Sequence, residues 1–455
     1  MELAGGTYRG PQHFSEDASK TSPEHVVVRP APGARVVVQC GYPDNCLATE
    51  GADHLTLRGV TTSMLEPLAG MPRQAGVAMD RGSDDVVFQD VDAGHIWISS
   101  RNASVIGGDY GPTVDEVSKV SETIGPNLLI DGATFHHYME HQSHMECIAL
   151  YGAQGVTIRR SRFDTCTLFG IFSTPEPSQH FRDVLIENNV FTNSGGTHMS
   201  THLKVGSHGG ACTNFLIRNN TFVDEDVISD CGIREGTASN IRWIANIFSE
   251  WSAPNCFTGG HVFDHNVIER GRGCGRHDVV AGRGGLGFVD RAGFDLRLSA
   301  GSPAIDRGNP ADFPGTDIDG NPRPVGGAPD AGADEFGSVG GTPPSAGFRP
   351  GIDREAPRLR LQRRARLRRG RIAILASCSE RCSVTATLIA RRGARAILGR
   401  GGARLRGGRR ARVMVRLTRR GRRALRSRSR LVIRLTVRDG AGNARTVHRP
   451  ITVIR

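Results

Sequence analysis

Lys204 and Arg234 each stand two residues before a glycine, in Lys204-Val205-Gly206 and Arg234-Glu235-Gly236. If the two triplets occupy the same place in consecutive turns of a repeating fold, the cations stand one strand spacing apart, about 4.8 Å. Stacked cations repel unless an anion joins them, so the pair would suit a uronate carboxylate. β-Elimination has that requirement: neutralising the carboxylate acidifies the adjacent C–H, and a Lys or His then removes the proton. The expected chemistry therefore sits on Lys204, Arg234 and His202, with His208, Glu235, Asp230 and Glu146 as substrate contacts.

Other groupings carry less. The run His136 to Glu146, HHYMEHQSHME, contains His137-x-x-Glu140-His141. On a helix this spacing would suit zinc, but it follows a turn between two strands and reads as a histidine-rich exposed loop. Asp84-Asp85 reads as the polar turn into Val86–Phe88, and Asp224-Glu225-Asp226 as exposed turn acids.

The elements that must position these residues form a repeat. Leu128–Phe135, Val156–Phe163, Val184–Phe191, Phe215–Phe222 and Ile241–Phe248 each place apolar residues at positions 1, 3 and 8, and three have Asn at position 6. Weaker copies begin at Leu55, Val86 and His261. The five starts are 28, 28, 31 and 26 residues apart. Positions 1 and 3 obey the period of two that buries one face of a strand, and such units must stack to form a core. The Leu-x-x-Leu-x-Leu series of a leucine-rich repeat is absent. Coils of this length with Asn-Asn turns resemble right-handed parallel β-helix proteins of the pectate-lyase-like superfamily, over roughly residues 1–336. The fold class expected is all-β: a right-handed parallel β-helix followed by a small β-sandwich.

That resemblance implies carbohydrate chemistry. Lys204 with Arg234 resembles the Lys/Arg constellation of chondroitinase B-like and alginate lyases, whose supporting acidic calcium set is not found here. The polygalacturonase-like pattern is incomplete: Ser207-His208-Gly209-Gly210 has no preceding Asn-x-Asp and no following Arg-x-Lys. Residues about 300–336, with Ser302-Pro303-Ala304-Ile305-Asp306, Asp317-Ile318-Asp319-Gly320-Asn321 and Asp330-Ala331-Gly332-Ala333-Asp334-Glu335, resemble the segment that closes many secreted bacterial β-helix proteins. A solenoid needs such a cap over its open end. No cofactor is called for; Asp317-x-Asp319-Gly320 is the one run suited to calcium, and it reads first as a turn.

The formal net charge of +12 is the sum of two unlike parts. Residues 1–353 hold 26 Lys and Arg against 43 Asp and Glu, whereas residues 354–455 hold 32 Arg and three acids. Residues 337–357 are a Gly/Pro/Ser-rich linker. Beyond it, short β-type runs such as Val384–Ile389, Val413–Leu417 and Leu431–Val437 are separated by Gly/Arg turns. This Arg-rich module, 358–455, resembles the immunoglobulin-like domains at the C-terminus of exported actinobacterial proteins, including the Cys378-Ser-Glu-Arg-Cys382 clip and the Asp439-Gly-Ala-Gly-Asn443 hairpin. Its arginines suit an anionic wall polymer, or are a solvated surface in a chain that uses Lys only at 20, 119 and 204. Aromatic platforms for nucleic-acid bases are nearly absent after Phe348, so no specific nucleic acid is expected.

Ten cysteines fall in sequential pairs: Cys40 with Cys46, Cys147 with Cys166, Cys212 with Cys231, Cys256 with Cys274, and Cys378 with Cys382. They suggest an oxidising compartment, although spacing leaves the connectivity open. Met1-Glu2-Leu3-Ala4 is no export signal and already reads as strand, so an extracellular or cell-surface protein is expected whose leader lies outside this sequence. No apolar run spans a bilayer. The sequence thus points to a monomer that binds an acidic polysaccharide, with lyase processing favoured and a non-catalytic adhesion protein as the alternative.

Overall fold

The computed structural model describes the chain except residues 16–21, 42–43, 66–74, 115–117, 121–126, 140–144, 153, 194–200, 234, 252–255, 257–259, 339–358, 363, 369, 379–381, 390–396, 406–409, 425–428, 439–443 and 455. It forms two compact units, one essentially Met1–Gly347 and the other essentially Phe348–Arg455.

The first unit is a parallel β-helix. Successive coils build its walls strand by strand: an 11-stranded sheet, a 9-stranded sheet that runs from Gln12–Ser15 to Asp226–Ser229, and a second 9-stranded sheet that begins at Asp109–Tyr110, with a 3-stranded sheet of Gly6–Arg9, Val36–Cys40 and Val60–Met64 in the early coils. The three larger ones are called, in that order, the first, second and third sheets below. All pairings along them are parallel. The repeat sets the register directly. Position 1 forms the row Leu128, Val156, Val184, Phe215, Ile241 and His261, and the weak copies at Leu55 and Val86 pair with each other in the same sheet. Position 8 lies in the third sheet, where Tyr110, Phe135, Phe163, Phe191, Phe222 and Phe248 stack ring on ring at 4.6 to 5.3 Å between successive centroids. All six rings are fully buried, and each removes apolar surface worth about 2–3 kcal/mol from water.

The corner between these rows explains the asparagines. Position 5 is left-handed in every clear copy, at Gly132, Arg160, Asn188, Asn219 and Ala245. Position 6 then turns inward, and Asn189, Asn220, Asn246 and Asn266 form a buried ladder in which each Nδ2 donates to the next Oδ1 at 3.0, 3.0 and 3.2 Å. The same Oδ1 atoms accept the backbone amides of the preceding rung. A buried corner has no water, so the side chains must satisfy these amides.

The closing segment is not confined to the open end. It runs back along the corner: Asn188 Nδ2 donates to the Thr316 carbonyl at 2.6 Å, Asn219 Nδ2 to the Asp330 carbonyl at 3.0 Å, and the Gly332 amide to the Ala245 carbonyl at 2.8 Å. The segment is built around Arg323, which is wholly buried, pairs with Glu335 at 2.8 Å and donates to the carbonyls of Asp330 and Gly332. Asp317 is a turn residue: its Oδ1 accepts the amides of Asp319 and Asn321, while Asp319 itself pairs with Arg162. The calcium reading finds its carboxylates already taken by protein donors.

The second unit is one 8-stranded sheet whose edges meet, since Arg371–Cys378 pairs with Ala411–Leu417 as well as with its other neighbours. It closes as a barrel rather than as the two separate sheets of a sandwich. Alternation along Ala411–Leu417 puts Val413, Val415 and Leu417 inside and Arg412, Met414 and Arg416 outside.

Disulfides staple both units, and their connectivity, which spacing left open, is sequential. In the solenoid Cys40 is bonded to Cys46, Cys147 to Cys166, Cys212 to Cys231, and Cys256 to Cys274. In the barrel Cys378 is bonded to Cys382, and no cysteine is left free. All ten are therefore structural rather than catalytic or metal-binding thiols. Each bond closes a short loop, of 4 to 19 residues in sequence separation, so it fastens neighbouring strands and turns rather than distant parts of the chain.

Candidate functional site

Lys204 lies on Thr201–Val205 of the second sheet, and its rung partners are Phe172 on one side and Ile228 on the other. The rung beyond Lys204 is therefore occupied by Ile228. Successive coils advance 24 residues here, from Lys204 to Ile228, whereas the Lys-x-Gly and Arg-x-Gly triplets are 30 apart. Gly236, with φ +66, belongs to the turn into the next strand of the first sheet rather than to the rung of Gly206. Arg234 lies outside the described residues.

His202 is also misplaced by the sequence reading. It is fully buried, its ring packs near Phe191 and Phe222, and Nε2 hydrogen-bonds the Val223 carbonyl at 2.8 Å. Burial pushes its pKa down to about 4. It is a neutral core histidine without access to a ligand. Glu146 is likewise buried, on the rung of Phe169. His208 is exposed and pairs with Glu176 at 3.0 Å. Glu235 is exposed, and its carbonyl accepts the Gly232 amide in a turn. His136 and His137 belong to the strand Thr134–Met139 rather than to a loop, and Glu140 and His141 lie outside the described residues.

What the fold does bring together is a row of the second sheet whose members are half-buried, except Ala149, which is wholly buried. Trp97, Lys119, Ala149, Phe172, Lys204 and Ile228 are successive rung partners. Their neighbours along each strand, such as Ile96, Ile98, Ile148, Ile171 and Leu203, are buried, as period-two alternation requires. Lys119 Nζ sits 4.9 Å from the Trp97 ring centroid, and Lys204 Nζ sits 5.4 Å from Phe172 and 5.8 Å from Phe169. Cation–π contact holds each ammonium on an aromatic face. Neither has an ion-pair partner among the described residues. Three strand spacings separate the two lysines, about 14 Å.

Beside Lys204 the chain is closely packed at Gly206, which is buried. A Cβ there would meet Lys204 Cε at 2.5 Å, Asp230 Oδ1 at 2.9 Å and Thr174 Oγ1 at 3.0 Å, so an ammonium stem, a carboxylate and a hydroxyl converge on one glycine. Thr174 is buried, and its Oγ1 has no hydrogen-bond partner among the described residues. Asp230, a residue picked out from sequence, is thus beside Lys204, where Arg234 was expected to be. Trp97, Lys119, Phe172 and Thr174 were missed. The available signal was rarity: two of three lysines in the chain fall on one row.

Two other places gather charged side chains. A cleft of about 230 Å³ on the first sheet is lined by Arg159, Arg160 and Arg218, but Asp131, Glu187 and Asp312 already hold these guanidinium groups. Asp92 and Asp109 stand on adjacent coils. Burial and repulsion by Asp109 push the Asp92 pKa up to about 6, and His136 Nε2 approaches Asp109 Oδ1 at 2.9 Å, poorly angled for a hydrogen bond.

No family model matches the sequence, and no curated protein matches it. Among solved structures the chain is similar to the Dettilon tailspike protein, with a TM-score of 0.36 and 10% identity over 88% of this chain and 74% of that one. A likeness that loose assigns neither ligand nor reaction to this chain.

Proposed function

We propose that the protein is an exported binder of an acidic polysaccharide, which contacts Trp97 and Lys119 at one end of this row and Phe172, Lys204 and Ile228 at the other, with buried Ala149 between them. The observation that carries this reading is the placement of two rare lysines, each on an aromatic ring, on one outward row of an otherwise acidic solenoid. Aromatic faces suit the C–H surface of a pyranose ring, and the ammonium groups suit its carboxylates. Two cations three coils apart engage a chain rather than a single sugar. Five disulfides support residence in an oxidising, extracellular setting.

Processing by β-elimination is centred on Lys204 and Asp230, the cation and carboxylate that meet beside Gly206. Lys204 neutralises a uronate carboxylate there, the acidified C5 proton passes to the Asp230 carboxylate, the C4–O bond breaks as its departing oxygen takes up a proton from water, and a C4=C5 double bond remains on the new end. In the Arg-rich barrel, exposed arginines such as Arg371, Arg400 and Arg416 favour attachment to an anionic wall polymer.

The alternative, a non-catalytic adhesion protein using the same face, differs in one readout. Full-length protein incubated with alginate, pectate and glycosaminoglycans should generate the ultraviolet absorbance of an unsaturated product with one of them, and Lys204→Ala should abolish it. Retained binding without absorbance favours adhesion, and no binding to any of the polymers refutes both readings.

A further inference from the structure

Three side chains remote from that row meet at one atom. His25, His54 and Asp85 occupy the same rung of three consecutive coils, each one residue before the paired Val26, Leu55 and Val86 of the first sheet. His25 Nε2 lies 2.9 Å and His54 Nδ1 2.7 Å from the same Asp85 Oδ2. The three ligand atoms are all within 4.8 Å of one another. Because the residues come from different coils, the solenoid register and not a local motif creates the meeting.

The rest of this row shows what the position ordinarily does. Its backbone is left-handed at Asn102, Asn127, Asp183, Asn214 and Asn240, as it is at His54 and Asp85. Those side chains form amide ladders, with Asn127 Nδ2 3.1 Å from Asn102 Oδ1 and Asn240 Nδ2 3.0 Å from Asn214 Oδ1. Small polar side chains suit a left-handed corner and continue the ladder. The two imidazoles do not continue it. They turn ring nitrogens onto a carboxylate, and Thr56 Oγ1 fixes the outer nitrogen of His25 at 2.8 Å. A partner on the second nitrogen is what orients a metal-binding histidine.

We propose that His25 Nε2, His54 Nδ1 and Asp85 Oδ2 form a site for a divalent first-row transition ion of the zinc type. Two imidazoles and one carboxylate suit such an ion better than calcium or magnesium, which favour all-oxygen sets. Tetrahedral zinc needs ligand atoms about 3.3 Å apart, so to admit it the two ring nitrogens must each draw back from Asp85 Oδ2 by about half an ångström, with the spacing between the nitrogens adjusting from within 4.8 Å. The side chains are 25%, 36% and 41% exposed, which leaves a fourth position to water and gives the ion a path in. Bound there, it clamps three coils together through their side chains.

The test is titration of zinc, and separately of cobalt, into full-length protein stripped with chelator, followed by calorimetry, visible absorption and thermal unfolding. One site of about micromolar affinity is expected, with the intense visible bands of four- or five-coordinate cobalt and a raised unfolding midpoint. His25→Ala and His54→Ala should each weaken binding about a hundredfold. The double variant His265→Ala/His277→Ala should leave the site intact; it removes the other histidine–carboxylate cluster, around Asp264. Absence of any site tighter than about millimolar in the unaltered protein overturns the proposal, as does a tight site that survives both His25→Ala and His54→Ala. Should an alanine variant fail to fold, Asp85→Asn replaces it under the same criterion, and the titration of the unaltered protein needs no variant.

Discussion

Arginine does opposite work in the two units. In the solenoid it is tied into the wall: Asp131 holds Arg159 and Arg160, Glu187 holds Arg218 at 2.8 Å, and Asp312 of the closing segment holds Arg242 at 2.7 Å as well as Arg218. On the first sheet Asp131, Arg159, Glu187 and Arg218 are successive rung partners, so the charges alternate along the helix axis. In the barrel Arg371 pairs across strands with Arg416, and Arg416 with Arg400, all three exposed and with no acid among the described residues of 359–454. Like charges directly opposite oppose the pairing of their strands. Where an arginine has its carboxylate, the guanidinium builds the fold; where arginines face one another, the surface is open to an outside anion. The basic balance of the whole chain therefore says nothing about which unit meets an anionic polymer.

Substitutions can break that contrast, and the largest effect is expected where arginine is most buried. Arg323→Ala should remove about 3–5 kcal/mol from solenoid stability in denaturant unfolding, because Glu335 is left charged in a site without water. An unchanged midpoint would show that the closing segment is not part of the cooperative unit. Asn220→Ala comes next, at about 2–4 kcal/mol, since its side chain serves Ile186, Arg218, Asn189 and Asn246 at once. Among its described residues the barrel has no such ladder to lose.

A smaller effect appears as a slope. The folded Asp92 carboxyl, held up at about 6, stays protonated while its unfolded counterpart ionises, so its contribution to stability falls as pH rises from about 4 to 6. Asp92→Asn should flatten that fall and gain about 2 kcal/mol at pH 7 relative to pH 4, measured by urea unfolding at both. His202, held down at about 4, works in the opposite direction between pH 4 and 6.5, and should keep its share in the variant. Smallest in stability is the barrel triple Arg371→Gln/Arg400→Gln/Arg416→Gln, within about 0.5 kcal/mol of the parent. Yet it should lower low-salt affinity for a sulfated polyanion and reduce the steepness of its salt dependence, whereas Arg159→Gln should leave both unchanged.

Much of the solenoid was legible because its register is written in the repeat. Positions 1, 3 and 8 of Val184–Phe191 recur in the neighbouring coils and become rows. Cysteines adjacent in sequence become disulfides, as Cys147 does with Cys166 and Cys212 with Cys231, because one coil brings its own strands side by side. The row of Trp97, Lys119, Phe172 and Lys204 was not legible in the same way. Outward positions repeat no residue type, since they bear no common packing constraint, and the coils vary in length between rungs, which is why Lys204 met Ile228 instead of Arg234. His202 misled because polarity in a sequence does not reveal inward orientation at a strand bulge between Thr201 and Leu203. The meeting of His25, His54 and Asp85 needs the register itself, as 29 and 31 residues of chain separate its members. The barrel was read as a sandwich because strand alternation is common to both, and only the pairing of Arg371–Cys378 with Ala411–Leu417 distinguishes them.

The most direct test of the central claim, that the lysine–aromatic row holds an acidic glycan, is calorimetry with a defined oligouronate at about 150 mM salt, where exposed charges are screened beyond about 8 Å. Lys119→Ala/Lys204→Ala should weaken binding by about tenfold or more, and the barrel triple variant by less than about twofold. Equal affinity of the lysine variant and the parent, with loss in the barrel variant, would contradict the account and move the binding face to the arginines.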